Sequence, residues 1–577
     1  MLTHKNLEFE ALIIGGGAAG CLAAIKLSQK GIKVALLEKA FLKRSGCLAA
    51  GVNALNAYIG QRKTPLDYAR YALNDAHGLA RFDLLLSMAE KLNKQVSFLE
   101  SIGLTVHKDQ TGRYAERGWR NLRVNGENIK PLLAEAVFRA QNVTVLERTN
   151  ATHLLALPGR VLGAAALSRN EEAILFIKSR AILIATGGAA GLYRPPNPGL
   201  TNHRLWYSPF NTGGGLAMGI KAGAEMTTLE MRFVALRCRD TFAPTGTLAL
   251  GAMAEQTNSF GREYEADYGR TTSQRVLGAR REIEAGRGPC YLQAEFDREA
   301  KEQLYKAYLN MSPLQTLKFL EAERNTPFSY PLSLRVEIAS SEPYVQGGHT
   351  AGGFWVDTNR RTTLKGLWAA GDAAGGAPQK YVTGAMAEAE IAADDMAGHL
   401  NRDKNPKIKI QHNFSVTQAQ DNETYALLCR KIQEELEHHF KTPPGVITDR
   451  NLTEALQKTM DLYAGGLGTG YRYSLAELRE AKKTLKTLEE LSRDLPASDI
   501  RDLLNLWEVR EKLVVAQSLV EHLSARRETR WPGFGEFTDF PEKDDSFLVY
   551  INSALKEQGG LKIIRRPIVR VERYEHE

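Results

Sequence analysis

Hydrophobic and polar positions divide the chain into a first part with short apolar runs and a last part with helical spacing. Near the N-terminus an apolar run (Ala11–Ile14) meets a glycine-rich turn, followed by a helical pattern (Ala18–Gln29) and a second apolar run (Val34–Leu37). Short apolar runs broken by turn residues return over residues 142–186, which is typical of several strands. The pattern predicts a strand–turn–helix–strand unit and then a β-rich segment.

In the second half, the hydrophobic pattern changes at a polar, proline-containing stretch, RDKNPKIKIQHN. This stretch begins at Arg402 and is our candidate linker. Before it, glycine turns surround a predicted strand, GLWAAGD, and a predicted helix from Ala385 to Leu400. Beyond it, apolar residues recur at i, i+3 and i+4, which predicts helices. These cover Val416–Phe440, Thr453–Tyr463, Leu475–Arg493 and Ile500–Arg526.

Length and composition place the chain among ordinary globular proteins. Its 577 residues allow about three or four domains, and it is 43% hydrophobic and 25% charged. Lysine and arginine (75) exceed aspartate and glutamate (67), for a net charge of +8. This excess suits an anionic ligand or an acidic partner, but no concentrated basic stripe favours nucleic-acid binding.

Targeting and metal-binding patterns are missing from the sequence. The N-terminus lacks the pattern of a signal peptide, and no run of 18 apolar residues predicts a transmembrane segment. The five cysteines are far apart and form no CxxC pair, so we expect no metal or iron–sulfur site within this chain. Free thiols without a disulfide pattern favour the cytoplasm.

The turn after the first apolar run carries a dinucleotide-binding motif. Gly15, Gly17 and Gly20 form G-x-G-x-x-G between a predicted strand and a predicted helix. This spacing lets the backbone approach a pyrophosphate, which then sits at the positive end of the helix dipole. Glu38 ends the next predicted strand, 18 residues after Gly20, where a carboxylate can accept both ribose hydroxyl hydrogens.

Two further glycine-rich strand ends favour FAD over NAD. ATGG, from Ala185 to Gly188, closes an apolar run after the β-rich segment. LWAAGDAAGG, from Leu367 to Gly376, places Asp372 at a predicted strand end, where its carboxylate can hold the ribityl chain of a flavin. The three features, spread over about 370 residues in this order, predict an FAD-binding protein.

The sequence resembles the succinate dehydrogenase/fumarate reductase flavoprotein superfamily nearly from end to end. RSGCLAAGVNALN and NTGGGLAMGIKAGAE look like its flavin-contacting segments, and ARRETRWPG followed by DFP looks like its C-terminal arginine motif. The resemblance implies an α/β fold, α+β overall, with a Rossmann-like FAD-binding domain, an inserted capping domain and a C-terminal helical domain. We expect FAD binding at 1–231 and 345–410, the cap at 232–344, and the helical domain with a basic tail at 411–577.

Departures from the superfamily narrow the chemistry. Succinate dehydrogenases attach FAD through a histidine at the position where this chain has Gly46, so non-covalent FAD is implied. The stretch AMAEQTNSFGREYE lacks the arginine proton donor of fumarate-type enzymes, and PQKYVTGAMAEAE differs from their RLGxNSL-type segment. Both differences argue against dicarboxylate chemistry.

Longer strings resemble one branch, the alpha subunits of dissimilatory-type adenylylsulfate (APS) reductases. They are NHRLWYSPFNTGGG, AEMTTLEMRFVALRCRD, SEPYVQGGHTAGGFWVD and YAGGLGTGYRY. The resemblance implies an enzyme that interconverts APS with AMP and sulfite through a flavin N5–sulfite adduct. Because the chain has no iron–sulfur motif, a separate ferredoxin-like subunit with [4Fe–4S] clusters is implied as the electron source.

Site residues follow from the resemblance and from the anionic substrate. Asn56, Arg237 and His349 fall where that branch has its substrate asparagine, arginine and histidine, and Arg232 is a further catalytic candidate because arginine binds sulfonate and phosphate with paired donors. The expected cofactor contacts are Gly15, Gly17, Ala18, Gly20, Glu38, Lys39, Ser45, Gly46, Gly51, Thr186, Gly187, Gly188, Asp372 and Thr383.

Several alternatives stay open at this point. The same scaffold could be a fumarate- or enoate-type reductase, or a non-catalytic flavoprotein subunit that passes electrons within a complex. Trp206 and Tyr207 could stack on adenine or belong to the core. The basic end LKIIRRPIVRVERYEHE could bind a partner or form a solvated edge strand.

Overall fold

A computed structural model describes residues 2–59, 63–195, 207–239, 254–296, 332–404, 414–556 and 559–569. Several features of the sequence interpretation fall wholly or partly outside these ranges, among them Trp206, much of the predicted cap (240–253 and 297–331), most of the candidate linker (405–413) and the end of the basic tail (570–577). Among the described residues, no helix combines the length and apolar character needed to cross a membrane.

A seven-stranded sheet forms the centre of the molecule. Its path runs β7-β2-β1-β10-β9-β8, with β17 also paired to β10. Strands β7, β2, β1, β10 and β17 are parallel, whereas β9 and β8 join antiparallel. The bounds are β1 Thr3–Ile14, β2 Val34–Glu38, β7 Val143–Glu147, β8 Thr149–Leu157, β9 Arg160–Ser168, β10 Ala173–Ile184 and β17 Leu367–Ala369.

The sequence explains why this sheet is central. Strand β10 reads AILFIKSRAILI and is buried at nearly every position, as expected for a strand covered on both faces. One face packs against α1 (Ala18–Gln29), α5 (Ile129–Phe138) and α9 (Tyr381–Lys404). The carboxyl ends of β1, β10 and β17 therefore lie side by side, and ligands bind at such an edge in open α/β sheets.

Among the described residues, four smaller sheets accompany the central one. Strands β3, β6, β4 and β5 form the first, β12, β15, β14 and β13 the second, β16, β11, β20 and β21 the third, and β18 and β19 the fourth. The bounds are β3 Val52–Asn56, β4 Thr105–Val106, β5 Glu116–Arg117, β6 Asn121–Gly126, β11 Met226–Thr227, β12 Leu236–Cys238, β13 Glu255–Thr257, β14 Tyr291–Phe296, β15 Leu332–Ser340, β16 Gly353–Phe354, β18 Arg472–Tyr473, β19 Glu536–Phe537, β20 Val549–Leu555 and β21 Leu561–Pro567.

The remaining helices lie mostly at the two ends of the chain. They are α2 Pro65–Asp75, α3 Phe82–Ala89, α4 Leu92–Ser101, α6 Gly214–Lys221, α7 Glu265–Tyr268, α8 Thr272–Glu284, α10 Phe414–Lys441, α11 Asp449–Tyr463, α12 Leu475–Ser492 and α13 Ile500–Ala525. Helices α11, α12 and α13 pack against one another. Capping boxes at Thr448 and Ser474 begin the first two, and Asp499 caps the third.

The α/β class and the predicted helices are confirmed, with two corrections. The C-terminal segment is not helical throughout, because β20 and β21 join β11 from the first half of the chain. Asp372 does not end a strand: β17 stops at Ala369, and Asp372 lies in a following 3₁₀ turn (Gly371–Ala373). The predicted domain bounds stay a prediction.

Candidate active site

The glycine loop between β1 and α1 leaves no room for side chains. Gly15 has φ +103°, and a Cβ on Gly20 would lie 1.8 Å from the Gly15 carbonyl oxygen. Gly17 is the N-cap of α1 and supplies no side-chain cap, so the first amides of the helix, beginning at Ala18, face outward without a capping side chain. Such a helix start is suited to a phosphate.

Glu38 lies at the end of β2, beside the glycine loop. Its carboxylate accepts hydrogen bonds from the Gly16 amide (3.0 Å) and the Ala40 amide (2.8 Å). The neighbouring Lys39 points away to other partners: its Nζ donates to the Phe210 carbonyl (3.1 Å) and pairs with Glu508 (2.5 Å). Glu38 is thus held at the loop, whereas the Lys39 ammonium already has an acceptor and a counter-ion.

Polar groups without internal partners line the path between the loop and the turn at Asp372. The buried hydroxyl oxygens of Ser45 and Thr186 have no hydrogen-bond partner among the described residues. Gly46 and Gly51 flank a short 3₁₀ turn (Cys47–Ala50), and Gly46 offers no side chain for a covalent link. Buried hydroxyls of this kind require a partner, and a flavin ring or its ribityl chain supplies acceptors and donors.

The turn at Asp372 completes this path. The Asp372 carboxylate accepts from the Tyr207 hydroxyl (2.9 Å) and from Gln346 Nε2 (3.0 Å). The Tyr207 hydroxyl also accepts from the Gly188 amide (3.4 Å), which brings the ATGG strand end to the same place. Tyr207 is therefore bound to the predicted ribityl aspartate. The residues present fit FAD from its pyrophosphate to its flavin end.

A second group of residues is organised around Gln379, in front of helix α9. The Gln379 carbonyl accepts from Asn56 Nδ2 (3.3 Å) and from the Tyr68 hydroxyl (2.7 Å). Its side chain donates to Asp75 (2.6 Å) and accepts from the Tyr381 hydroxyl (2.7 Å). Gln379 has φ +62° and Tyr381 φ +50°, a strained backbone of the kind that clusters at functional sites.

Asn56 connects this group to the flavin segment. Its amide also lies 2.6 Å from the Tyr68 hydroxyl, and its backbone carbonyl accepts from the Thr383 hydroxyl (2.6 Å). Thr383 is fully buried, so its side chain holds Asn56 in place. Thr383 therefore acts on the site through Asn56, while its predicted flavin contact stays a prediction.

His349 stands beside the same group between two aromatic rings. Its imidazole stacks on Phe233 (4.3 Å between centroids, 10° between planes) and meets the Tyr381 ring edge-on (4.9 Å, 90°). Burial lowers the pKa of His349 to about 4, although the carboxylates of Asp372 and Asp75 act against the shift. The imidazole is thus neutral near pH 7, and a bound anion would raise its pKa.

Arg237 and Arg232 have different surroundings, although both are buried. Arg237 Nη2 lies 3.4 Å from the Glu342 carboxylate, whose pKa is raised by burial. Arg232 donates to the Tyr193 hydroxyl (2.7 Å) and to backbone carbonyls of residues 464, 465 and 534 (2.5–3.1 Å). These are the contacts of a structural clamp, so the catalytic role of Arg232 stays a prediction that its geometry does not favour.

The residues that the sequence interpretation missed include Arg120, Gln379 and Tyr68. Arg120 Nη1 donates to Gln379 Oε1 (3.2 Å), and its guanidinium stacks 4.2 Å above the Tyr71 ring. These residues stand in no recognisable motif, and they are up to 311 positions apart. The arrangement places Arg120, Asn56 and His349 around Gln379 and Tyr381.

The residues that fit FAD, which we call the FAD cradle, are Gly15 to Glu38, Ser45, Thr186 and Asp372. The fold and this cradle define an FAD-dependent oxidoreductase of the succinate dehydrogenase/fumarate reductase flavoprotein superfamily. Residues 10–385 match the family model described as an FAD binding domain. The chain is 30% identical to the adenylylsulfate reductase subunit alpha of Megalodesulfovibrio gigas, over 97% of this chain and 96% of that one.

Comparison with solved structures also shows similarity to adenylylsulfate reductases. The adenylylsulfate reductase of Archaeoglobus fulgidus is similar with a TM-score of 0.86 and 31% identity, covering 99% of this chain and 97% of that chain. A structure of adenosine-5-phosphosulfate reductase in complex with sulfite, described as a covalent adduct, matches with the same TM-score, identity and coverage. The chain therefore belongs to the FAD binding domain family and, within it, to the family of adenylylsulfate reductase alpha subunits. Its FAD is non-covalent, because Gly46 offers no attachment point.

Proposed function

We propose that the chain is the flavoprotein subunit of an enzyme that interconverts APS with AMP and sulfite through a flavin N5–sulfite adduct. The observation that carries this proposal is the similarity to adenylylsulfate reductases at 30–31% identity over 97–99% of the chain. One of those relatives has been solved with sulfite as a covalent adduct. FAD supplies the two-electron chemistry when it is bound.

The protein's own residues have to bind two anionic groups and control protons. Asn56, held by Tyr68 and Thr383, offers a fixed amide for orientation. Neutral His349 offers an N–H donor, and a sulfonate oxygen beside it would raise its pKa towards protonation. Arg237 supplies positive charge, partly balanced by Glu342. We assign Arg232 a structural role.

Electrons require a partner under this proposal. The five cysteines include no spacing that would hold an iron–sulfur cluster. We therefore propose a separate ferredoxin-like subunit with [4Fe–4S] clusters, and the net charge of +8 favours an acidic one.

A sulfite titration tests the proposal. Oxidised, FAD-loaded protein is mixed with sulfite, with and without AMP, and the flavin absorbance is followed. We expect sulfite to bleach the flavin band and AMP to strengthen the response. Absence of both responses would refute the proposal. Measurable reduction of fumarate with a viologen donor would favour a fumarate-type reductase instead.

Two neighbouring arginines provide a matched control. Arg237 is buried against Glu342, whereas Arg239, two residues on, is largely exposed and pairs with Glu337. Under this proposal, Arg237→Gln weakens the sulfite response by about 10- to 100-fold, as expected for losing a charge-assisted bond. Arg239→Gln leaves the response unchanged, and equal effects of the two variants would remove Arg237 from the site.

A further inference from the structure

Arg120 is a cation at the candidate active site that forms no ion pair with the described residues. It precedes strand β6 and reaches Gln379 Oε1 (3.2 Å), the same oxygen to which the Tyr381 hydroxyl donates (2.7 Å). Because Tyr381 meets His349 edge-on (4.9 Å), the guanidinium and the imidazole share one neighbour. Arg120 also contributes to the lowered pKa of His349.

The charge of Arg120 is balanced only at a distance, because the Asp75 carboxylate attracts it electrostatically without forming an ion pair with it. Three tyrosines, Tyr68, Tyr71 and Tyr381, surround it, and burial raises the pKa of each, so all three stay neutral. Within the parts of the chain that the structure covers, no carboxylate lies within ion-pair distance of the guanidinium. The Asp75 carboxylate is instead bound by Thr272 (2.9 Å) and Gln379 (2.6 Å).

The hydrogen-bonding capacity of Arg120 is also only partly used. A guanidinium carries five N–H donors in a planar fork, and among the described residues the acceptors beside it are Gln379 Oε1 and the Tyr381 hydroxyl. The guanidinium is oriented by its stacking on Tyr71 (4.2 Å). Trp119 packs edge-on against Tyr71 (4.8 Å), and Lys63 Nζ lies 5.7 Å above the Trp119 ring. A second cation thus lies on the same aromatic surface.

These contacts select the chemical class of the ligand. A pre-oriented planar pair of N–H donors matches two oxygens of an oxyanion, and an anion here would supply a direct counter-charge. Resting on the proposed function, we propose that Arg120 binds an oxyanion of the substrate, either the phosphate of the adenylate or the oxygens of sulfite. Asn56 and His349 contact the same two residues, Gln379 and Tyr381.

Two titrations of FAD-loaded protein distinguish the two oxyanions. AMP binding is measured by calorimetry, and sulfite binding by bleaching of the flavin band. We expect Arg120→Gln to raise the dissociation constant of AMP or of sulfite by about 10- to 100-fold. Weaker binding of AMP alone identifies the phosphate as the ligand of Arg120, and weaker binding of sulfite alone identifies sulfite. Arg120→Lys keeps the positive charge but not the planar fork of donors, so its dissociation constant should lie between those of Arg120→Gln and wild-type protein.

Arg123 in β6 is the matched control. It lies three residues from Arg120, and its Nε donates to the Glu116 carbonyl (3.1 Å). Arg123→Gln should leave both dissociation constants within about two-fold, as is usual for a surface substitution. If Arg120→Gln protein does not fold, the dissociation constants of Arg120→Lys and wild-type protein are compared instead. Unchanged affinity for both anions in either variant overturns the inference.

A third titration separates this inference from the proposed function. If wild-type protein binds neither AMP nor sulfite, the proposed function fails, and inorganic phosphate and fumarate are titrated against the flavin spectrum. A phosphate response that Arg120→Gln abolishes would still support an oxyanion site at Arg120. A flavin response to fumarate alone, or to none of these anions, overturns the inference of an oxyanion site at Arg120.

Discussion

The FAD cradle and the substrate region are built on different principles. The cradle uses backbone amides, glycines and a strand-end carboxylate, and Gly15 to Glu38 supply its first half within 24 residues of chain. The substrate region joins the side chains of Asn56, Arg120 and His349, which are distant in the sequence, at Gln379 and Tyr381. The first can be recognised as a motif, whereas the second becomes visible only when the chain is folded.

The largest effect is expected in the cradle. Gly20→Ala puts a Cβ where the Gly15 carbonyl oxygen lies 1.8 Å away, so the loop and α1 have to separate. We expect purified protein to lose essentially all of its FAD, measured as the ratio of flavin to protein absorbance. Gly398→Ala in α9 is the control, because a Cβ there meets nothing within 4 Å. Stoichiometric FAD in the Gly20 variant would contradict the dependence on close approach.

The same contrast explains how far the sequence could be interpreted. The cradle and the helices of the C-terminal segment could be predicted, because spacing and capping are local. Arg120 could not be found, because its partner Gln379 is 259 positions away and reaches it from a backbone with positive φ. Arg232 stands in a motif-like string, but the carbonyls of residues 464 and 534 that accept its hydrogen bonds lie far from it in the sequence, so its catalytic role stays a prediction.

Arg232→Met tests whether that arginine belongs to the substrate region. Removing it leaves the carbonyls of residues 464, 465 and 534 without their donor in the interior. We expect the free energy of unfolding to fall by about 3 kcal/mol or more, measured by denaturant titration. The sulfite dissociation constant of the folded fraction should stay within about three-fold. A stable protein with weakened sulfite binding would return Arg232 to the list of substrate residues.

His349→Asn should affect the substrate region alone. The variant keeps a side chain of similar polarity but loses the imidazole stacked on Phe233. We expect the rate of APS reduction to fall by about 100-fold, the usual effect of removing a positioned acid–base group, with the FAD content unchanged. A full rate of APS reduction would remove His349 from the substrate region, whereas electron transfer to a partner without any turnover of APS by the unaltered protein would indicate a non-catalytic electron-transfer subunit.

The low pKa of His349 also predicts a pH dependence of stability. Its pKa is about 4 in the folded protein and 6.5 ordinarily, so between these values the unfolded state binds more protons. Stability therefore falls as pH drops from 6.5 towards 4, by about 2 kcal/mol at pH 5 from this group. His349→Asn should flatten that part of the profile of unfolding free energy against pH. Identical profiles would mean that the imidazole is more hydrated than its contacts indicate.

The smallest effect is expected from Lys39→Ala, at the boundary between the motif and its surroundings. Lys39 follows Glu38 and was predicted to contact FAD, yet its ammonium is bound to Glu508 (2.5 Å) and the Phe210 carbonyl (3.1 Å). A partly exposed ion pair, here with side chains 29% and 22% exposed, contributes about 1 kcal/mol or less, so FAD affinity, measured by fluorescence titration of the apoprotein, should change by less than about three-fold. Glu508→Ala should cost the same stability as Lys39→Ala. If Lys39→Ala alone loses FAD by ten-fold or more, the lysine leaves Glu508 when FAD binds, and the cradle too depends on a side chain from outside its motif.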